Sequence, residues 1–326
     1  MIRRSQYRRK QKGAALLIVL LLAATLSFVA LSAMELTTRA AARTVNVNAR
    51  GETLWRAFAV ETLTLAAVEE IASDERGIMS LDDPWATEPV ELPFEEGGAR
   101  VFLADGGACF NVNSLRAPYG EGGADETAAE FVRLAGHLGI SEFDAAALAQ
   151  TIGDWIDEDA NRRPQGSEDE YYTALPSPYR TGNQFMASVS ELRAVKGVTR
   201  EIYGTLRPYL CALNSETPSV INVNMLSERH APVLAAALGE AVTPQMAADL
   251  ISARPPGGWV SIDVFLETPP LGDLDIENGQ RFAVTSRFLI ARAEIVYDTA
   301  LLEMTSVIDT QGGGAKVLSR RLGAEE

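Results

Sequence analysis

The sequence predicts an α+β protein: one long N-terminal helix and a small antiparallel sheet, with a large helical domain inserted in the sheet connection. Three observations predict it. A stretch without Gly or Pro runs from Ala14 to Arg50, and its apolar stripe continues to about Ser73. Strand-like segments lie on both sides of the middle of the chain, within 89–103 and 282–309. Between them stands a block of capped helical segments. Strands flanking a helical block are what an insertion leaves behind.

The N-terminus comes first. Arg3, Arg4, Arg8, Arg9, Lys10 and Lys12 form a basic tail without an acid, followed by Gly13 and an uncharged run from Ala14 to Met34. As a helix that run spans roughly 31 Å, enough to cross a bilayer core. Three kinds of segment share this outline: a cleaved secretory signal, a plain membrane anchor and a prepilin-type leader. A secretory signal has a shorter apolar core and ends at a small-x-small site. Here the helical pattern continues past Ser32-Ala33-Met34, with sparse charges at Glu35, Arg39 and Arg43. Lys12-Gly13, set just before the apolar run, has the form of a prepilin peptidase site, and cutting there makes Ala14 the new N-terminus. A plain anchor competes with it, because basic residues flank most single-pass helices. The positive-inside rule keeps the tail cytoplasmic and sends the rest across the membrane.

The formal charge is −15, from 29 basic and 44 acidic residues. Six of the basic residues sit in the tail, so the remainder stands at −21. Such a surface repels nucleic acid and anionic lipid heads. The two cysteines, Cys109 and Cys211, fall beyond the membrane, where an even count suggests one disulfide; two buried free thiols are the alternative.

The remaining elements follow in order. Leu54, Phe58, Leu63, Leu65 and Val68 extend the first helix, and Gly51 marks a bend or a junction in it. Pro89–Leu92 and Arg100–Leu103 read as strands joined by a turn at 95–98. Residues 127–138 form a helix; Ser141 caps a second, with Asp144 completing a weak capping box. A polar, acidic loop runs from Asp157 to about Gln184. A helix starts near Ser188, 195–198 is a tight turn, and Thr199 caps the next helix. Ser227 caps a helix ending at Gly239, Thr243-Pro244 starts another, and Ser261 caps a short one. Phe282–Val284, Phe288–Tyr297 and Leu301–Asp309 alternate as strands. The predicted layout is a leader (1–13), a long helix (14–73, membrane part 14–34) and the first part of a head (74–112). An inserted helical domain (113–275, subunits about 113–213 and 219–275), closing strands (276–311) and a mobile tail (312–326) follow.

The chemistry concentrates in residues 154–172. Asp157, Asp159 and Asn161 hold positions one, three and five, and Glu168 position twelve, of an EF-hand-like spacing; position six is Arg162 instead of Gly. Carboxylates crowded at a helix C-terminus repel one another and the helix dipole, which a hard divalent cation relieves. A solvated acidic loop balanced by Arg162 and Arg163 explains the same residues equally well. Catalytic signals are weak. The two histidines, His137 and His230, sit in helical patterns, and no nucleophile, zinc or phosphate-loop motif appears. The reading is a protein that is not an enzyme. Residues 190–210 and 221–259 resemble helix-hairpin-helix or SAM-like modules. Those modules bind nucleic-acid phosphate at helix starts, but the negative charge disfavours that use. A single-pass periplasmic nucleic-acid-binding protein is the competing function. The echo of CFNVNSL (109–115) in VINVNML (220–226) reads as a local capping device used twice, not as a repeat of domain size.

Taken together, KGAALLIVLLL (12–22), ACFNVNSL (108–115), DWIDED (154–159), GSEDEYY (166–172), SELRAVKG (190–197), LRPYLCAL (206–213) and INVNML (221–226) resemble the type II secretion system minor pseudopilin K family, also called general secretion pathway protein K. The resemblance covers essentially the whole chain. It implies a pilin-like head with a large helical insert, calcium binding, and a place at the pseudopilus tip with other minor pseudopilins. It implies cleavage after Gly13 by prepilin peptidase and methylation of Ala14. It implies a single-pass inner-membrane protein with a periplasmic head, in contact with the major pseudopilin, the assembly platform and secreted cargo. Other pseudopilins carry Glu at the fifth mature position; here it is Ile18, as in the K members. The resemblance favours calcium at Asp157, Asp159, Glu168 and Asp169, with Glu158 and Asn161 behind them, and a Cys109–Cys211 disulfide.

Overall fold

The computed structural model describes the backbone of residues 7–117, 123–274, 276, 279–312 and 314–323, and their side chains except at 7–13, 123 and 124. Residues 1–6 of the leader and 118–122 of the polar loop lie outside the described residues. α1 (Tyr7–Ala72) is one helix of 66 residues. It starts inside the basic leader and passes through Gly51 without an end or a break. From Ala14 on it holds a stretch long and apolar enough to cross a membrane. Farther along, Ala57, Val60 and Val68 bury one stripe at helical spacing.

After α2 (Pro84–Thr87), the hairpin of β1 (Val90–Phe94) and β2 (Gly97–Asp105) forms as predicted, with Phe94 opposite Gly97. The chain then leaves the sheet at Asp105 and returns to it 183 positions later. The segment between, 106–287, is two units on one plan. The first runs β3 (Phe110–Asn111), a 3-10 turn, α3 (Gly123–His137), α4 (Glu142–Ile156), α5 (Asp169–Thr173), a second 3-10 turn, α6 (Arg200–Leu206) and β4 (Leu210–Cys211), with β3 and β4 parallel. The second runs β5 (Ile221–Asn222), two 3-10 turns, α7 (Ala231–Leu238), α8 (Pro244–Ser252), α9 (Ile262–Leu266) and β6 (Phe282–Ala283), parallel to β5.

The two Asn-x-Asn triplets do the same work in both units. Asn111 accepts from the Asn113 N–H at 3.3 Å, and Asn222 from the Asn224 N–H at 3.0 Å. The second Asn then clasps one distant residue from both sides. Asn113 accepts from Met186 N at 2.8 Å and donates to Met186 O at 3.0 Å. Asn224 accepts from Trp259 N at 2.7 Å and donates to Trp259 O at 2.9 Å. Two residues beyond each clasped residue, Ser188 and Ser261 cap the next helical turn. The shared plan therefore extends across both units, a correction to the local device that the sequence suggested. The identical residues cluster around the buried Asn pairs, with Val112/Val223 and Leu115/Leu226 beside them, so the echo in sequence is short.

Other boundaries shift for similar reasons. The insert begins at 106, not 113, and ends at 287, not 275, because Phe110 and Phe282 belong to its core. Phe282–Ala283 pairs with β5 and is no strand of the head. The acidic loop contains α5, and the helix after Ser188 is a 3-10 turn closed by a Ser188/Glu191 capping box. The units join through α3 on α7 and a buried Glu130–Arg281 ion pair, Oε1 to Nη2 3.0 Å.

β7 (Phe288–Tyr297), β8 (Ala300–Asp309) and β9 (Lys316–Leu322) complete an antiparallel sheet in the order β1-β2-β7-β8-β9. β9 overturns the expected mobile tail: Gly312 and Gly314 lie in the connection after β8, and Lys316–Leu322 pairs with β8. α1 packs on this sheet over Val101, Leu289, Ile295 and Ile308. Glu61, buried in that interface, accepts from Ser306 Oγ at 2.6 Å and from Arg320 Nε at 2.9 Å, tying the helix to the last strand.

Candidate functional site

The acidic site is built at the C-terminal end of α4. Ser141 opens that helix by accepting from Asp144 N; at the other end Asp157 N donates to Gly153 O at 2.9 Å. The chain turns through 158–167 and comes back, so that Glu168 stands at the start of α5. One carboxylate oxygen each from Asp157, Asp159 and Glu168 lies within 4.8 Å of the others. Asp157 Oδ1 and Glu168 Oε1 are enclosed with no hydrogen-bond partner. Burial pushes Glu168 up to about 7, and the charges of Asp154, Asp157, Asp159 and Asp169 push the same way. Burial also raises Asp157. Two orphaned buried oxygens and a third exposed carboxylate suit a hard divalent cation with oxygen ligands.

The other predicted acidic ligands, Asp169 and Glu158, are engaged elsewhere. Asp169 Oδ1 accepts from Thr181 N at 2.9 Å and Thr181 Oγ1 at 2.8 Å, which lowers its pKa. Glu158 turns outward to Arg116, and Asn161 donates its backbone N–H to Asp159 Oδ1 at 2.6 Å. The carboxylates at positions one, three and twelve of the spacing converge, and Asn161, at position five, lines the same depression as Asp157 and Asp159. Asp154, with no exposure, escaped the sequence reasoning, and Arg163, read there as a solvated counter-charge beside Arg162, instead turns its guanidinium inward while Arg162 faces solvent. Burial raises Asp154 to about 6 against the pull of Arg163. The signal for them was the pair of glycines at 153 and 166, which leave room for both groups.

Cys109 and Cys211 are joined, Cα to Cα 5.7 Å, across the ends of β3 and β4; this resolves the alternative of free thiols. In α1, Ile18 is 58% exposed among other exposed apolar side chains, and the Gly13–Ala14 peptide lies within the helix. His230 is a half-buried cap, its Nδ1 accepting from Ser227 N at 3.0 Å and its pKa lowered by burial to about 4.

Comparison with known proteins bears on this architecture. Residues 108–215 match one family model and residues 221–285 a second, both described as Type II secretion system (T2SS), protein K. The two matches fall on the two units of the insert. Type II secretion system protein K of Klebsiella pneumoniae is 34% identical over 96% of this chain and 97% of its own. The chain belongs to the type II secretion system protein K family. The protein of that name from Pectobacterium carotovorum subsp. carotovorum is 32% identical over 97% of this chain and 98% of its own. A chain in the crystal structure of the GspK-GspI-GspJ complex from enterotoxigenic Escherichia coli is similar in fold. Its TM-score is 0.75 at 29% identity, over 87% of this chain and all of that one. Membership makes the chain a minor pseudopilin, a structural part of a secretion system and not a known enzyme. Its apolar N-terminal helix fits a single-pass inner-membrane protein. Nucleic-acid binding is not favoured.

Proposed function

We propose that this minor pseudopilin stands at the pseudopilus tip with two others and starts assembly. The observation that carries the reading is the match of 87% of this chain to the whole of a chain in the GspK-GspI-GspJ complex. Ile18 supports it. A Glu at that position serves to neutralise the amino group of a neighbouring subunit, and a tip subunit has no neighbour above it. An unpaired carboxylate in lipid is costly, so an apolar residue suits the tip. The head faces the periplasm and the leader the cytoplasm, where prepilin peptidase cuts after Gly13 and leaves Ala14 to be methylated. Residues 190–210 and 221–259 act as helix-hairpin-helix or SAM-like scaffolds for protein contacts. The remaining partners are the major pseudopilin, the assembly platform and secreted cargo. Co-expression with the two partner pseudopilins of its own system tests the reading: a detergent-stable complex of all three is expected, and recovery of this chain alone sinks it. N-terminal sequencing should find Ala14 first; a start at Met1 or beyond Ala33 contradicts the processing.

Calcium is the cation that best suits Asp157, Asp159 and Glu168, with Asp169, Glu158 and Asn161 as outer groups. When bound, it neutralises carboxylates that otherwise repel. A ligand at 100 times its Kd stabilises by about 2.7 kcal/mol. Chelator should therefore lower the melting temperature of the full chain, and Asp159→Ala should abolish the response. An unchanged melting curve with chelator rejects the site.

A further inference from the structure

The acidic site already holds a cation of its own. The Arg163 side chain is 10% exposed and reaches across the loop. Its Nε lies 3.3 Å from Asp154 Oδ1, and Nη2 3.2 Å from Asp157 Oδ2. Nη1 donates to Leu115 O at 3.0 Å; Nη2 donates to Arg116 O at 3.2 Å and Ala117 O at 3.3 Å. The main chain is pared back to admit these groups. A Cβ on Gly153 would stand 1.8 Å from Arg163 Nη1, and one on Gly166 1.9 Å from Asp154 Oδ2.

The second unit keeps the tether with one carboxylate, Asp82, near enough to act on it. Arg254 Nη1 donates to Leu226 O at 2.6 Å. Leu226 follows the Asn222/Asn224 pair as Leu115 follows Asn111/Asn113. The arginine-to-carbonyl tether thus belongs to the shared plan, and in the first unit carboxylates surround it.

We propose that Arg163 is the resident cation of the site: it pairs Asp154 and one oxygen of Asp157, holds the loop against residues 115–117 before any metal arrives, and leaves the free oxygens of Asp157, Asp159 and Glu168 to a divalent cation. This rests on the calcium reading above. The hydrogen bonds divide the oxygens in that way, since Asp157 Oδ2 is engaged while Oδ1 and Glu168 Oε1 are not. A guanidinium stays charged at any physiological pH, and its planar fork serves several acceptors at once. Without it, four crowded carboxylates would face one another with no positive partner, and closure of the loop would depend on metal. Arg163 is a positioning residue in this scheme.

Limited proteolysis of the full chain in detergent micelles, read at residues 157–185 with and without chelator, tests the proposal. The wild-type loop should resist cleavage in chelator. Arg163→Met in chelator should be cleaved about tenfold faster, because cleavage follows the population of the open loop, and calcium should restore resistance. Arg163→Lys should fall between, since one ammonium cannot reach three carbonyls and two carboxylates. An Arg163→Met loop as resistant in chelator as the wild type overturns the proposal. If Arg163→Met fails to fold with or without calcium, the double variant Arg163→Met/Asp154→Asn decides. Recovery of folding supports an unpaired buried carboxylate as the fault; continued failure overturns the resident-cation role. Terbium luminescence on the wild type reads the metal separately. Absence of terbium binding ends the calcium reading, while the chelator arm still decides whether Arg163 tethers the loop.

Discussion

At the scale of single residues, placement turns on what surrounds each polar atom. Asp105 ends β2 where the insert begins. Its Oδ2 accepts from Gly107 N at 2.9 Å and Ala108 N at 2.7 Å, and the Ser286 hydroxyl sits beside the enclosed carboxylate. Burial pushes its carboxyl up to about 6 from an ordinary 3.8. The folded state then holds the proton more tightly than the unfolded chain. That contribution is complete below about pH 3.8 and is lost as pH rises through about 6. Asp105→Asn removes the loss. Its melting temperature should gain on the wild type between about pH 4 and pH 7, and a difference that is flat with pH would contradict the account. Gly166→Ala should destabilise by about 1–3 kcal/mol, the range for overpacking, because its Cβ meets the Asp154 carboxylate. Denaturant unfolding with and without calcium measures this. The first effect was not legible in the sequence, where Asp105 is one more acid; Gly166 was a signal only in hindsight, once Asp154 was seen to fill the space beside it.

At the scale of elements, local signals were read well. Ser141, Thr199, Thr243 and Ser261 all cap the helices expected of them, because a cap is decided by residues three apart. The last strand was missed, because a run of glycines reads as mobility when it is a hairpin connection. What holds β9 is distant: Arg320 meets Glu61, 259 positions away. Arg320→Ala should leave a buried carboxylate unpaired and destabilise the head by about 2 kcal/mol. That lies below the roughly 3–5 of a fully buried pair, since the Arg320 side chain is 38% exposed. Thermal unfolding in a double-mutant cycle with Glu61→Ala checks it; zero coupling between the two sites would deny Glu61 its role.

At the scale of the whole molecule, a pseudopilin head carries a two-unit insert between neighbouring strands, and the disulfide closes the first unit on itself. Cys109 and Cys211 are 102 positions apart. Cross-linking a loop of that length restricts the unfolded chain strongly, so Cys109→Ser with Cys211→Ser should cost about 2–5 kcal/mol. Denaturant unfolding should show it, and reductant should reproduce it on the wild type. An unchanged midpoint in both cases would place the stability of the unit in its apolar core alone.

The sequence by itself determined the membrane helix, the alternation of the sheet, the helix caps, the family and the acidic stretch at 157–168. These rest on patterns within a turn of helix, a pair of strand residues or a recurring motif, where neighbours along the chain decide the outcome. Only the tertiary structure decided where the insert begins and ends, that its two units share a plan, that the tail closes the sheet, and which carboxylates converge. Those outcomes depend on partners far apart in sequence, such as Asn113 with Met186 and Glu61 with Arg320. In the acidic site they depend also on two glycines. Gly153 and Gly166 admit Asp154 and Arg163, and so turn a charged loop into a partly neutralised site with two buried oxygens free.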